Sequence, residues 1–176
     1  GAILGEQIGG LVRVAGELSL HTDVTAIPGD VTDAAHRQQL AVAAKRAGGL
    51  RALVNNAGTL GPSPLPELLD FPLEALAEIY RINAIAPLAM IQALAPYLGE
   101  DARIVNITSD AAVEAYAGWG DYGAGKAALE QIGNVLAAEK PEWRVYQIDP
   151  GDMRRLNKQE LSPANNLFHV LKASQS

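Results

Sequence analysis

Tyr122 and Lys126 stand four residues apart in the run GDYGAGKAALE, with only small residues between them. On a helix, positions i and i+4 share a face. An ammonium beside a phenol favours the phenolate and lowers a pKa that is normally about 10. A phenol tuned in this way can give or take a proton at working pH. Glycine inside a helix costs roughly 0.5–1 kcal/mol relative to alanine, so Gly123 and Gly125 ask for a reason. Close approach of a flat ligand or of a second backbone would supply one. Taken alone, the pair also reads as an ordinary helix surface pair. Ser109, ahead of Tyr122, carries a hydroxyl that can bond a carbonyl oxygen, and it also reads as a plain turn former. Asn83 lies four residues before Pro87. A proline kink frees backbone carbonyls, and a carbonyl freed near Asn83 could hold a water that connects to Lys126. The plainer reading of Asn83 is a solvated helix residue.

Short apolar runs ending in turn residues must position these groups. TAIPGDVTD (25–33), RALVNNAG (51–58), RIVNITS (103–109) and WRVYQIDPGD (143–152) read as strands. Residues 34–47, 73–98 with Pro87 inside, and 122–139 read as helices. Strands alternating with helices predict a parallel sheet covered on both faces, with ligands outside the carboxyl ends of the strands. Asp30, Asn55 to Gly58, Ser109 and Pro150-Gly151 all fall at such ends.

Composition excludes several functions. With 176 residues the chain suits one domain, 1–176. A net charge of −6 gives no basic footprint for nucleic acid. The absence of cysteine rules out disulfides, thiol nucleophiles and cysteine-ligated metals, and favours the cytoplasm. His21, His36 and His169 show no metal-ligand spacing and read as structural or solvated. The longest apolar stretch, residues 84–98, is short for a bilayer and broken by Pro87, Gln92 and Pro96. The expectation is therefore no membrane and no metal.

Five motifs then coincide: N-N-A-G (55–58), N-x-x-x-P (83–87), N-I-T-S (106–109), Y-x-x-x-K (122–126) and D-P-G (149–151). In order and spacing, over roughly residues 25 to 153, this set resembles the short-chain dehydrogenase/reductases. The resemblance implies an α/β fold, a Rossmann-like doubly wound parallel sheet in three αβα layers. It also implies one NAD(P)-binding domain and an oxidoreductase that interconverts a carbonyl and a secondary alcohol. It makes Tyr122 the general acid/base and gives Lys126 the nicotinamide ribose. Ser109 would orient the substrate carbonyl, and Asn83 would maintain a proton relay. Asp30 and Val31 would meet adenine; Asn56, Ala57 and Gly58 would line the adenosine ribose side; Pro150 and Gly151 would sit beside nicotinamide. Family members are commonly oligomers, and the helices carrying Asn83 and Tyr122 are rich in small apolar residues, so a homodimer or homotetramer is expected.

The sequence also departs from the family. Gly1 and Gly5 keep part of the glycine spacing of the phosphate-binding turn, but Gln7 stands where a third glycine belongs. Ile8, Leu11, Val12, Ala15 and Leu18 then form an apolar face at helical spacing. Only 29 residues precede Asp30, too few for the strands and helices the family places there. The fold is thus expected to be incomplete at its N-terminal strands and its C-terminal end, with junctions near Ala2–Ile3, near Val14–Leu20 and after Met153. Arg155 occupies a position where the family often has threonine. The second strand, which in the family distinguishes NAD from NADP, has no counterpart, so the cofactor is NAD or NADP with no preference readable. Val113, Tyr116 and Trp119 could line an apolar substrate pocket or simply pack beneath a loop. The leading expectation is an enzyme acting on a small carbonyl or alcohol. The alternative is a silent nucleotide-binding sensor or scaffold. A sugar-nucleotide epimerase shares Tyr-x-x-x-Lys but needs a larger C-terminal domain.

Overall fold

The computed structural model of the chain describes residues 2–151 and 171–173, with side chains from 10 to 151. Helix α1 spans Ala2–Ser19 and α2 spans Ala34–Arg46. Strand β1 follows at Leu50–Asn55. Helices α3 (Leu73–Tyr80) and α4 (Ala86–Leu94) are joined without a break by a π-helical turn, Arg81–Ile85. Strand β2 spans Leu98–Ile107, helix α5 Gly120–Glu139 and strand β3 Arg144–Ile148. A short β4 covers Leu171–Ala173.

The sheet order is β3-β2-β1-β4. Strands β1, β2 and β3 are parallel, with Asn55 beside Asn106 and Ile107 beside Ile148. The parallel α/β sheet expected from the alternation of elements forms, and with it the Rossmann-like architecture that the resemblance implies. Strand β4 adds antiparallel to β1, in a stretch that the sequence reads as mostly polar.

Period-two alternation sorts the strand side chains. Leu53, Ala102 and Ile104 point to one face and are fully buried. There they meet Leu40, Ala41 and Ala44 of α2 and Met90, Ile91 and Leu94 of α4. Helix α5 covers the same face over β2 and β3, where its Gly133 lies against the side chains of Asn106 and Gln147. On the other face Val54, Val105 and Ile107 are only half-buried, and Tyr146 and Ile148 are exposed. The described residues thus build the sheet and the helical layer on one of its faces.

Two expectations change. Residues 25–33 form no strand: the Asp30 carboxylate accepts bonds from the Thr32 backbone N–H at 2.8 Å and hydroxyl at 2.7 Å. Asp33 then caps α2 by accepting from the Ala35 N–H. Side-chain bonds of this kind compete with extended pairing. Residues 73–98 are not one kinked helix either. The interruption falls at Arg81–Ile85, ahead of Pro87, whose missing N–H removes one ladder bond from the continuous helix where the π turn gives way to α4.

Candidate active site

Parallel strands bring their carboxyl ends to one edge, so the turns after β1, β2 and β3 lie side by side there. They carry Asn56 to Gly58, Thr108 with Ser109, and Pro150 with Gly151. Gly151 adopts a φ of 62°, and its N–H donates to the Asp149 carboxylate at 2.9 Å. That left-handed turn is what glycine after proline permits.

Lys126 reaches this edge from α5. It is 4 % exposed, and its Nζ donates to the Ile107 carbonyl at 2.7 Å. Nζ also lies 5.7 Å from the centre of the Tyr122 ring. Burial pushes the ammonium down to about 8, since removal from water disfavours the charged form. Trp119 meets Tyr122 edge-on at 5.7 Å and Tyr116 meets Trp119 at 6.5 Å, so three rings run in series along the loop into α5.

Asn83 is fully buried in the π turn. Its Nδ2 donates to the Thr59 carbonyl at 2.9 Å, and its Oδ1 accepts the Thr59 N–H at 2.8 Å. The side chain therefore imitates a strand neighbour and clamps the turn after β1. Gly58 shows where the pieces converge: a Cβ there would lie 3.3 Å from Asn83 Oδ1 and 3.4 Å from Lys126 Nζ. The N-N-A-G turn, the π turn and the α5 lysine thus meet at one point, and its glycine keeps that point open.

The glycines of α5 have their reason. A Cβ on Gly123 would fall on the Ala111 carbonyl oxygen, and one on Gly125 would stand 3.1 Å from Ile79 and 3.5 Å from Asn83. A second backbone and the α3–α4 region make the close approach. Ser109 donates from Oγ to Asp110 Oδ1 at 2.9 Å and accepts the Ala111 N–H at 3.3 Å. Thr108 beside it is buried and donates to Glu130 at 2.6 Å.

Other expected site residues separate from this centre or fall outside view. Val31 packs in the core beneath α2, while Asp30 is exposed and engaged with Thr32. His36 is buried behind Gly29, a structural histidine whose pKa burial lowers. His21 is exposed. Gly5 lies in the first turn of α1; Gly1, Arg155 and His169 lie outside the described residues. Val113, Tyr116 and Trp119 do line an open cleft of about 620 Å³ with Leu68 and Leu69, but Ser109, Tyr122 and Lys126 do not line it. Sequence reasoning missed Thr59, Asp110 and Asp121. The last is 1 % exposed beside Tyr122, with neither carboxylate oxygen hydrogen-bonded among the described residues. Residue type marks none of the three; contacts from distant segments do.

With this geometry in hand, comparison with known proteins is decisive. The family model "short chain dehydrogenase" matches residues 2–166. The chain belongs to the short-chain dehydrogenase family. Bovine sepiapterin reductase is 34 % identical over 161 residues, 85 % of this chain and 56 % of that protein. The 1-deoxy-11-beta-hydroxypentalenate dehydrogenase of Streptomyces avermitilis is 34 % identical over 142 residues, 78 % of this chain and 51 % of that one. A short-chain dehydrogenase structure from Streptomyces avermitilis superposes with a TM-score of 0.72 at 28 % identity, over 82 % of this chain and 54 % of that one. An alcohol dehydrogenase from Thermococcus sibiricus, complexed with 5-hydroxy-NADP, shares the fold with a TM-score of 0.73 at 21 % identity, over 81 % of this chain and 61 % of that one. The chain spans about half the length of the curated relatives it matches.

Proposed function

We propose that the protein is an NAD(P)-dependent oxidoreductase that interconverts a carbonyl and a secondary alcohol, with Tyr122 as the proton-transferring group. The observation that carries this reading is the buried Lys126 beside the Tyr122 ring, at the edge where three strand-end turns meet. Names of relatives add support, since those matched are reductases and dehydrogenases.

The residues fit a nicotinamide dinucleotide. Lys126 has three N–H donors and gives one to Ile107, which leaves two for ribose hydroxyls. Gly58 keeps its corner free of side chain. Asn56, Ala57 and Gly58 would line the adenosine ribose side and Pro150 and Gly151 the nicotinamide side. Asp30 and the Val31 backbone would serve adenine, and Gly5 in the first turn of α1 the pyrophosphate, together with Gly1, which lies outside the described residues. The cofactor supplies or accepts the hydride.

The protein supplies the proton. In reduction Tyr122 donates to the carbonyl oxygen as charge develops on it; in oxidation the phenolate takes the alcohol proton. Lys126 holds the phenolate by charge, more strongly in a dry site than in water. Ser109 gives the reacting oxygen its second contact. Asn83, by clamping Thr59, fixes the wall against which Lys126 lies. The exposed Leu69 (97 %) and Val113 (78 %), beside the cleft over α5, suit burial against a second copy in a homodimer or homotetramer.

Tyr122→Phe should abolish turnover with a general carbonyl probe such as a diketone, and NAD(P)H fluorescence titration should show cofactor binding retained. Turnover unchanged in that variant removes Tyr122 as the proton-transferring group; cofactor binding without turnover in the wild-type chain leaves a nucleotide-binding scaffold.

A further inference from the structure

Helix α5 makes a second polar contact with the end of β2, one turn beyond Lys126. The Thr108 hydroxyl donates to Glu130 Oε1 at 2.6 Å. Thr108 is 5 % exposed and Glu130 is half-buried. So short a bond is what a hydroxyl makes with a carboxylate, roughly twice as strong as one between neutral groups. The peptide unit joining Ile107 to Thr108 is thereby held at three points. Its N–H donates to the Ile148 carbonyl at 2.9 Å, its C=O accepts Lys126 Nζ at 2.7 Å, and the Thr108 side chain ties it to Glu130. A trans peptide is planar, with its N–H and C=O pointing in opposite directions. Any turn of this one plane would disturb both the bond to β3 and the acceptor of Lys126.

We infer that Glu130 is a positioning residue: by holding Thr108 it fixes the peptide plane whose carbonyl aims the Lys126 ammonium. This rests on the oxidoreductase reading above, in which Lys126 serves Tyr122 and the cofactor ribose. An ammonium has three N–H donors on one nitrogen. The Lys126 stem is buried, so the Cε–Nζ bond has a set direction. Committing one N–H to the Ile107 carbonyl then sets the directions of the other two. Glu130 and Lys126 share a helix face, yet no ion pair joins them among the described residues, and burial alone accounts for the lowered pKa of the lysine. The influence of Glu130 therefore runs through the strand and not through its charge. What the site needs at 130 is an acceptor for the Thr108 hydroxyl.

The test compares Glu130→Ala and Thr108→Val, which break the contact, with Glu130→Gln and Thr108→Ser, which keep an acceptor and a hydroxyl. In Glu130→Ala kcat should fall about tenfold and the NAD(P)H dissociation constant should rise about threefold, as the loss of one bond to a charged group allows. Thr108→Val should do the same, and combining the two should be no worse than either alone. Glu130→Gln and Thr108→Ser should retain most of the wild-type values. A purely structural contact would lower Tm and leave kcat per folded molecule and cofactor affinity unmoved. That result, additive losses, or a Glu130→Gln variant as impaired as Glu130→Ala overturns this inference; in an enzyme that Tyr122→Phe inactivates, each leaves the reaction assignment standing. Amide hydrogen exchange reads the contact without turnover. Exchange across residues 105–112 should quicken in Glu130→Ala and return in Glu130→Gln. Unchanged exchange there overturns the inference whether or not the protein proves to be an oxidoreductase.

Discussion

At the scale of single residues, Lys126 sets a pH window. The folded chain holds its proton less tightly than the unfolded chain, about 8 against 10.5. Below pH 8 both states are protonated, and the full penalty for burying the ammonium is present. Between about 8 and 10.5 the unfolded state binds more protons, so stability rises with pH. Chemical denaturation between pH 7 and 10 should show that rise, and Lys126→Met should flatten it. Activity should run the other way, declining above pH 8 as the charge that favours the phenolate is lost. The shared helix face of Tyr122 and Lys126 and the strand end at Ser109 were legible from spacing, whereas the roles proposed for them rest on the family resemblance. The Thr59 contact was not, because its bonds to Asn83 join segments distant in sequence.

At the scale of elements, the clamp between the π turn and the strand-end loop is the part to break. Asn83→Ala removes both bonds to the Thr59 backbone at a part-buried position. Two such bonds contribute roughly 1–3 kcal/mol, and a fall in urea midpoint at unchanged m-value should report the loss. Strands β1, β2 and β3 and helices α2 and α5 were readable within a few residues from β-branched runs and Gly-Pro punctuation. The loop at 25–33 was not, because apolar residues followed by an Asp-rich turn fit a strand until the Asp30 and Asp33 side chains are seen capturing nearby backbone N–H groups. The π turn was foreshadowed by Pro87 but displaced from it, since the ladder bond that proline removes runs to the turn ahead of it.

At the scale of the whole molecule, the described residues cover the two faces of the sheet unevenly. A polypeptide of this sequence should bind an apolar dye such as anilinonaphthalene sulfonate at pH 7 through the face bearing Tyr146 and Ile148. The double change Tyr146→Thr with Ile148→Thr should reduce that fluorescence while far-UV circular dichroism stays constant. Dye binding unaffected by both changes would place the apolar surface elsewhere. The parallel order of β1 to β3 was legible from the alternation of elements, whereas the antiparallel β4 was not, since its short apolar run carries no periodic signal. The motif set announced the family across the same span.

The π turn has a genetic consequence. It holds one more residue per turn than its flanks, so it resets the helical phase between α3, which packs toward α5, and α4, which packs toward α2. Removing a single codon within 81–85 would let the backbone relax into a continuous α-helix. Five residues of a π turn sweep about the same angle as four of an α-helix, so the faces downstream would keep nearly their present phase. Met90, Ile91 and Leu94 would stay on the sheet, while Asn83 would lose the wide turn that aims it at Thr59. In a deletion scan of this gene, loss of one of those five codons should spare folding and cost the Thr59 turn its clamp, whereas loss of one codon from the middle of α3 or α4 should turn a buried face to solvent.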